Sequence, residues 1–206
     1  MAKQGILLVV SGPSGAGKGT VCDALLKEYK GLEYSISMTT RAPRKGEADG
    51  KDYFFVSKET FEEMIDSGKL LEHATVYDNY YGTPRGYVLE QLNAGNDILL
   101  EIEMDGAQQV REKFRDGVFV FILPPSLDEL AIRLNKRGKD EKEAIEARLD
   151  SAASEIAQAI KYDYVIVNSD VKEAVDKIKC IMTAEKSRVI RNEKTIENVR
   201  YGYPER

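Results

Sequence analysis

The chain has 206 residues, 42% hydrophobic and 32% charged, with a formal net charge of −5. That is chain enough for a substantial core in one compact domain, and the acidic balance excludes a broad basic face for nucleic acid, so anionic ligands have to be met by arginines placed locally. Two cysteines, Cys22 and Cys180, exclude a disulfide framework and are expected to be packing residues in a reducing compartment; no apolar run approaches a signal-peptide core or the roughly 20 residues of a membrane span. A cytoplasmic protein with no membrane or nucleic-acid partner is expected.

Residues 6–10 are a continuous apolar run, read as a buried strand, and a helical stripe of Val21, Leu25, Leu26 and Tyr29 ends at Gly31. Between them lies Gly12-Pro13-Ser14-Gly15-Ala16-Gly17-Lys18, a G-x-x-x-x-G-K loop in the strand-to-helix context of a P-loop. Glycines let the backbone N–H groups turn inward, the helix adds the positive end of its dipole, and Lys18 can reach the outer phosphates of a nucleotide. The hydroxyl residue usual after the lysine is replaced by Gly19, with Thr20 one place later. Either Thr20 helps hold magnesium, or the ion is held mainly by nucleotide oxygens and water.

Residues 34–38 alternate like a strand, and the Gly-, Pro- and charge-rich segment 39–50 reads as a long loop. Residues 53–56 read as a strand, Phe61, Met64 and Ile65 as a short helix closed by Gly68, and residues 70–77 as another strand; together these predict a small α+β insertion. Thr83-Pro84 has the form of an N-cap followed by a first-turn proline, opening a helix through Val88, Leu89 and Leu92 that Gly95 closes. Residues 97–102 and 118–123 read as buried parallel strands with a helix over 107–114 between them. A helical hairpin follows, carrying Ile145, Leu149, Ile156 and Ile160 on its second helix. Residues 164–168 form the last strand, Val171, Val175, Ile178 and Ile181 stripe a closing helix, and residues from Arg191 on form a polar tail. The pattern predicts an α/β fold: a three-layer parallel-sheet P-loop core, interrupted twice, with ligands at the carboxyl ends of the strands.

The insertion concentrates phosphate-binding chemistry: Arg41 and Arg44 on the loop, with Tyr53, Tyr80 and Tyr81 on its flanks. A second phosphate site beside a P-loop suggests transfer between two nucleotides rather than hydrolysis. The run Ser37-x-Thr39-Thr40-Arg41-x-Pro43-Arg44-x-Gly46-Glu47-x-x-Gly50-x-Asp52-Tyr53-x-Phe55-Val56, with Glu72 and Asn79-Tyr80-Tyr81-Gly82-Thr83, resembles the GMP-binding region of guanylate kinases. The likeness runs from Gly5 to about Lys186, and Pro124-Pro125-Ser126 and Arg133 through Gly138 resemble the start of that family's lid.

The resemblance implies a core of residues 1–36, 84–126 and 159–206, a GMP-binding insertion of 37–83 and a helical lid of 127–158. It implies ATP and GMP as partners and magnesium as cofactor. Arg41, Arg44, Tyr53 and Tyr81 resemble the ligands of the GMP phosphate, and Ser37, Glu72, Thr83 and Glu103 the guanine contacts. Arg137 and Arg148 resemble lid arginines that act with Lys18 and Arg41 on the transferring group, and Asn168 stands where the adenine pocket forms. The chemistry agrees, since guanine offers N1–H and 2-amino donors to a carboxylate and an O6 acceptor to a hydroxyl.

The family commonly has aspartates where this chain has Glu101 and Glu103. Strand alternation puts Glu101, Glu103 and Asp105 on one face, with Glu101 near magnesium and Glu103 reaching guanine. Two rivals are carried. A non-catalytic phosphopeptide-binding module of the same fold would have a degraded P-loop, whereas Gly12, Gly17 and Lys18 are all present; a kinase for another nucleoside monophosphate is suggested by Gly17-Lys18-Gly19-Thr20, but Glu72 and Thr83 speak for guanine.

Overall fold

A computed structural model describes residues 4–76, 78–136 and 142–202, with the side chains of all of these but 136 and 142–148. The central sheet has β1 (Leu7–Ser11) in the middle, β7 (Asp97–Glu101) and β8 (Val118–Leu123) beside it, and β2 (Leu32–Tyr34) and β9 (Tyr164–Val167) at the edges. All of its pairings are parallel. The strands β1, β7 and β8 are covered on both faces, which is why their sequences are continuous apolar runs rather than alternating ones.

Alternate residues of β1 divide the core into two layers. Leu8 and Val10 pack with Val21, Cys22 and Leu25 of α1 (Lys18–Glu28) and with Val175, Ile178 and Met182 of α7 (Val171–Lys186). Leu7 and Val9 face the other way, onto Val88 and Leu92 of α3 (Arg85–Ala94) and Ala107 and Val110 of α4 (Met104–Lys113). Each buried valine, leucine, isoleucine and methionine among these stabilises the fold by about 1.5–3 kcal/mol relative to exposure.

The insertion is a second sheet in the order β4 (Phe54–Phe55), β3 (Met38–Thr39), β6 (Asn79–Pro84), β5 (Leu70–Val76). Helix α2 (Lys58–Asp66) is capped by Ser57, whose hydroxyl accepts from the Thr60 N–H, and it buries Phe61 with Met38 and Leu70. Helices α5 (Leu127–Lys136) and α6 (Lys142–Ala157) form the hairpin, closed by Leu130, Leu134 and Ala152 with Leu149 against them. Helix α8 (Glu193–Tyr201) lies beyond α7.

Several expectations are corrected. The alternation over 34–38 spans two sheets: β2 ends at Tyr34, and β3 begins at Met38 in the insertion. Thr83 does not cap α3; it lies inside β6, and Pro84, with no side-chain cap bond, occupies the N-cap. The run after Leu100 does not continue as strand, since β7 stops at Glu101 and Glu103 is the N-cap of α4, so Glu101, Glu103 and Asp105 do not share a strand face. Ile160 falls in a 3-10 turn after α6 and is 90% exposed, outside the hairpin's apolar seam. Cys22 is buried as expected, whereas Cys180 is exposed on α7. The polar tail contains a helix, α8.

Candidate active site

The loop from Gly12 to Gly17 joins the carboxyl end of β1 to α1, with Lys18, Gly19 and Thr20 forming the helix's first turn. Gly12 passes so close to β8 that a Cβ on it would stand 2.2 Å from the Ile122 carbonyl oxygen, and Gly17 caps the helix at φ 91°, a left-handed conformation that favours glycine. Pro13 accepts a backbone bond from Ala16, closing the turn, while Ser14 and Gly15 form its half-buried crest. Lys18 is buried and folds back over the loop, donating to the Gly12 carbonyl at 2.5 Å.

Asn168, directly after β9, is buried; its amide donates to the Ala16 carbonyl at 2.8 Å, so the residue expected beside adenine also ties the loop to the far edge of the sheet. Arg133 of α5 reaches the same place, donating to the carbonyls of Ala16 at 3.3 Å and Asn168 at 3.1 Å, with Glu129 paired to it at 2.9 Å. The hairpin is thereby anchored on the P-loop.

Glu101 ends β7 beside the first turn of α1. Tyr34 donates to its carboxylate at 3.0 Å, and a Cβ on Gly19 would stand 3.7 and 3.8 Å from its two oxygens. Burial and then the Glu101 charge hold the Tyr34 phenol protonated well above its ordinary range. Position 19 faces the carboxylate, and Thr20, one place on, is exposed. Glu103 is largely exposed and approaches Lys18 at 3.8 Å. Among the described residues no group of three or more His, Cys, Asp or Glu could hold a metal alone. A single carboxylate beside a phosphate-binding loop fits instead an ion that arrives with nucleotide and water, as hydrated magnesium does.

The insertion brings the second set together. Arg41 donates to both oxygens of Glu47 at 2.9 and 3.0 Å, lies 5.5 Å from the centre of the Tyr53 ring and 5.9 Å from that of Phe55, and Tyr53 stacks edge-on with Tyr81 at 6.1 Å. Glu47 also accepts from the Arg44 N–H at 2.7 Å. Hydrogen bonds from Arg41 and then from the Arg44 backbone hold the Glu47 carboxyl below its usual range. Glu47, absent from the expected ligands, thus shapes the arginine cluster. Arg44 is exposed, and half-buried Ser37 leads into β3.

Glu72 on β5 and Thr83 on β6 are both buried, and the Thr83 hydroxyl donates to the carboxylate at 2.6 Å. Burial raises the Glu72 pKa, with Thr83 and Lys113 acting in the opposite sense. Among the described residues this carboxylate accepts from the Thr83 hydroxyl, and burial leaves it short of the donors water would have given it. Arg137 lies outside the described residues. Arg148 belongs to α6, and its side chain is also outside them.

The guanylate kinase family profile matches residues 4–185. A guanylate kinase of Caldanaerobacter subterraneus is 56% identical over 190 residues, covering 92% of each chain. One of Clostridioides difficile is 54% identical over 189 residues, again 92% of each. The crystal structure of guanylate kinase from Anaplasma phagocytophilum superposes with a TM-score of 0.73 at 37% identity, covering 99% of both chains.

Proposed function

The chain belongs to the guanylate kinase family, and from that premise we propose that it transfers the γ-phosphoryl group of ATP to GMP by direct in-line displacement, giving ADP and GDP. The observation that carries the reading is that one chain holds both a P-loop and a separate arginine–tyrosine cluster beside the buried Glu72–Thr83 pair. Two anion sites and a base reader are what a nucleotide donor and a guanine acceptor require, and a non-catalytic module would have no use for an intact Lys18 loop.

In this reading the loop N–H groups cradle the ATP phosphates and Lys18 leaves the Gly12 carbonyl for the β- and γ-oxygens. Arg41, Arg44, Tyr53 and Tyr81 hold the GMP phosphate; Glu72 accepts from guanine N1–H and the 2-amino group, and Thr83, Ser37 and Glu103 complete the base contacts. A GMP phosphate oxygen attacks the γ-phosphorus as the bond to the ADP oxygen breaks, and the leaving electron pair goes to ADP. Lys18, Arg41, Arg137 and Arg148 stabilise the spread charge. Glu101 would hold a magnesium ion through water, and the ion would offset the charge of the nucleotide phosphates. Asn168 borders adenine while keeping the loop in place.

Residues 37–83 and 127–158 act as the two closing parts over a core made of the rest, excluding water from the reaction. A cytoplasmic location, where both nucleotides are at hand, goes with this reading. Phosphorus NMR of ATP and GMP with the purified protein tests it: GDP and ADP should appear together with magnesium and cease with a chelator. Inorganic phosphate and ADP without GDP would contradict transfer.

A further inference from the structure

Among the described residues, strand β5 is an edge strand of the insertion sheet, paired with β6 alone, and its pairing carries a register shift between Leu70 and His73, immediately around Glu72. Bulged edge strands are poor platforms for a precise contact, because one side of the backbone ladder has no partner. Here helix α4 of the core supplies one. The Gln109 carboxamide meets the His73 backbone twice: its Oε1 accepts from the His73 N–H at 3.1 Å and its Nε2 donates to the His73 carbonyl at 3.0 Å. A primary amide in that position reproduces what one residue of a neighbouring strand would offer. Lys113, one turn further along α4, donates to the Leu70 carbonyl at 3.0 Å.

The residue on the other side of Glu72 is held by the same helix. Leu70 packs in the insertion's own core, but Leu71 packs with Ala107 and Val110 in the central one. The helix also passes the Glu72 carboxylate closely, since a Cβ on Gly106 would stand 3.1 Å from Oε2. Glu103 is the N-cap of this same helix.

We propose that Gln109 is a positioning residue for guanine: by clamping the β5 edge at His73, with Gly106 leaving room, it holds the Glu72 carboxylate in place against α4. The inference rests on the reading of Glu72 as the guanine contact.

The test compares kcat/KM for GMP with that for IMP, its analogue lacking the 2-amino group, in Glu72→Gln, Gln109→Ala, Gln109→Glu and Gly106→Ala, with melting temperatures alongside. Gln109→Ala removes two hydrogen bonds and should narrow the GMP preference roughly tenfold while the KM for ATP holds. Gln109→Glu keeps the acceptor for His73 N–H but loses the donor, and should fall between. Gly106→Ala puts a better helix former at the site, so it should keep or raise the melting temperature and yet narrow the preference; should Gln109→Ala fail to fold, this variant decides. A purely structural role for Gln109 would lower the melting temperature and leave the GMP-to-IMP ratio unchanged, which overturns the proposal. If Glu72→Gln collapses the ratio and neither Gln109→Ala nor Gly106→Ala moves it, the clamp is refuted and the Glu72 reading stands. If Glu72→Gln itself leaves the ratio alone, the underlying reading falls, and the proposal with it.

Discussion

Replacing Glu72 by glutamine keeps size and shape and changes only charge and one hydrogen-bonding sense. In the protein the carboxylate is 6% exposed and already accepts from Thr83 at 2.6 Å. A glutamine would keep its oxygen on Thr83 and turn its NH2 toward guanine's own donors, so a charge-assisted pair becomes a donor-to-donor contact in a site closed to water. Losing one such bond and leaving a buried donor unmatched costs about 3 kcal/mol, or roughly two orders of magnitude in kcat/KM for GMP. AMP should not become a good substrate, because adenine presents a 6-amino donor where guanine has its O6 acceptor, and the remaining base contacts stay arranged for guanine.

The same substitution has a stability consequence of the opposite sign. Burial raises the Glu72 pKa in the folded state, so between the ordinary carboxylate value and the raised one the native protein holds a proton that the unfolded chain has released. Stability on account of this group falls as pH rises through that window, and the cost is complete above it. Glu72→Gln should therefore melt higher than the parent at neutral pH, with the difference shrinking toward about pH 4, where both forms are uncharged. Steady-state kinetics and circular-dichroism melts on one preparation measure both. A GMP kcat/KM within a few-fold of the parent would refute the placement of Glu72 against the base, and a lower melting temperature at neutral pH would refute the desolvation argument.

Further expectations concern the phosphates. Lys18→Ala should keep the fold and lower turnover by roughly three orders of magnitude, because a charge contact that strengthens in the transition state is lost; near-normal turnover of the purified variant would remove the P-loop assignment. Arg44→Ala should raise the KM for GMP while ATP binding, followed by calorimetry, stays close to the parent's; equal weakening of both would place Arg44 elsewhere. Solution scattering with a bisubstrate analogue should show compaction as the insertion's arginine cluster and the hairpin close, and an unchanged radius of gyration would count against it.

What was legible in the sequence was local. The P-loop could be read because glycine spacing, Lys18 and an adjoining apolar strand lie within one short stretch. The buried strands of the core could be read because a sheet covered on both faces leaves uninterrupted apolar runs. Thr83 was misplaced for a physical reason: Thr-Pro is a sound helix-start signal, but pairing with β5 kept Thr83 in a strand and turned its hydroxyl to Glu72. The alternation of residues 34–38 continued while the chain left one sheet for another, and a period alone does not report which sheet a residue joins. Glu103 was put on a strand face because alternation carries no mark of where a strand stops. The supporting contacts were out of reach, since Gln109 meets His73 across 36 positions, Tyr34 meets Glu101 across 67 and Arg133 meets Ala16 across 117. Nothing in a short window signals them.

The central claim, that this chain phosphorylates GMP in preference to other monophosphates, is tested most directly by a coupled ADP-formation assay run with ATP, magnesium and GMP, AMP, UMP or dTMP in turn. The account predicts fast, acceptor-dependent ADP formation with GMP and a kcat/KM lower by orders of magnitude for the other three. Comparable rates with AMP or a pyrimidine monophosphate, or ADP formation that does not depend on the acceptor, would contradict it.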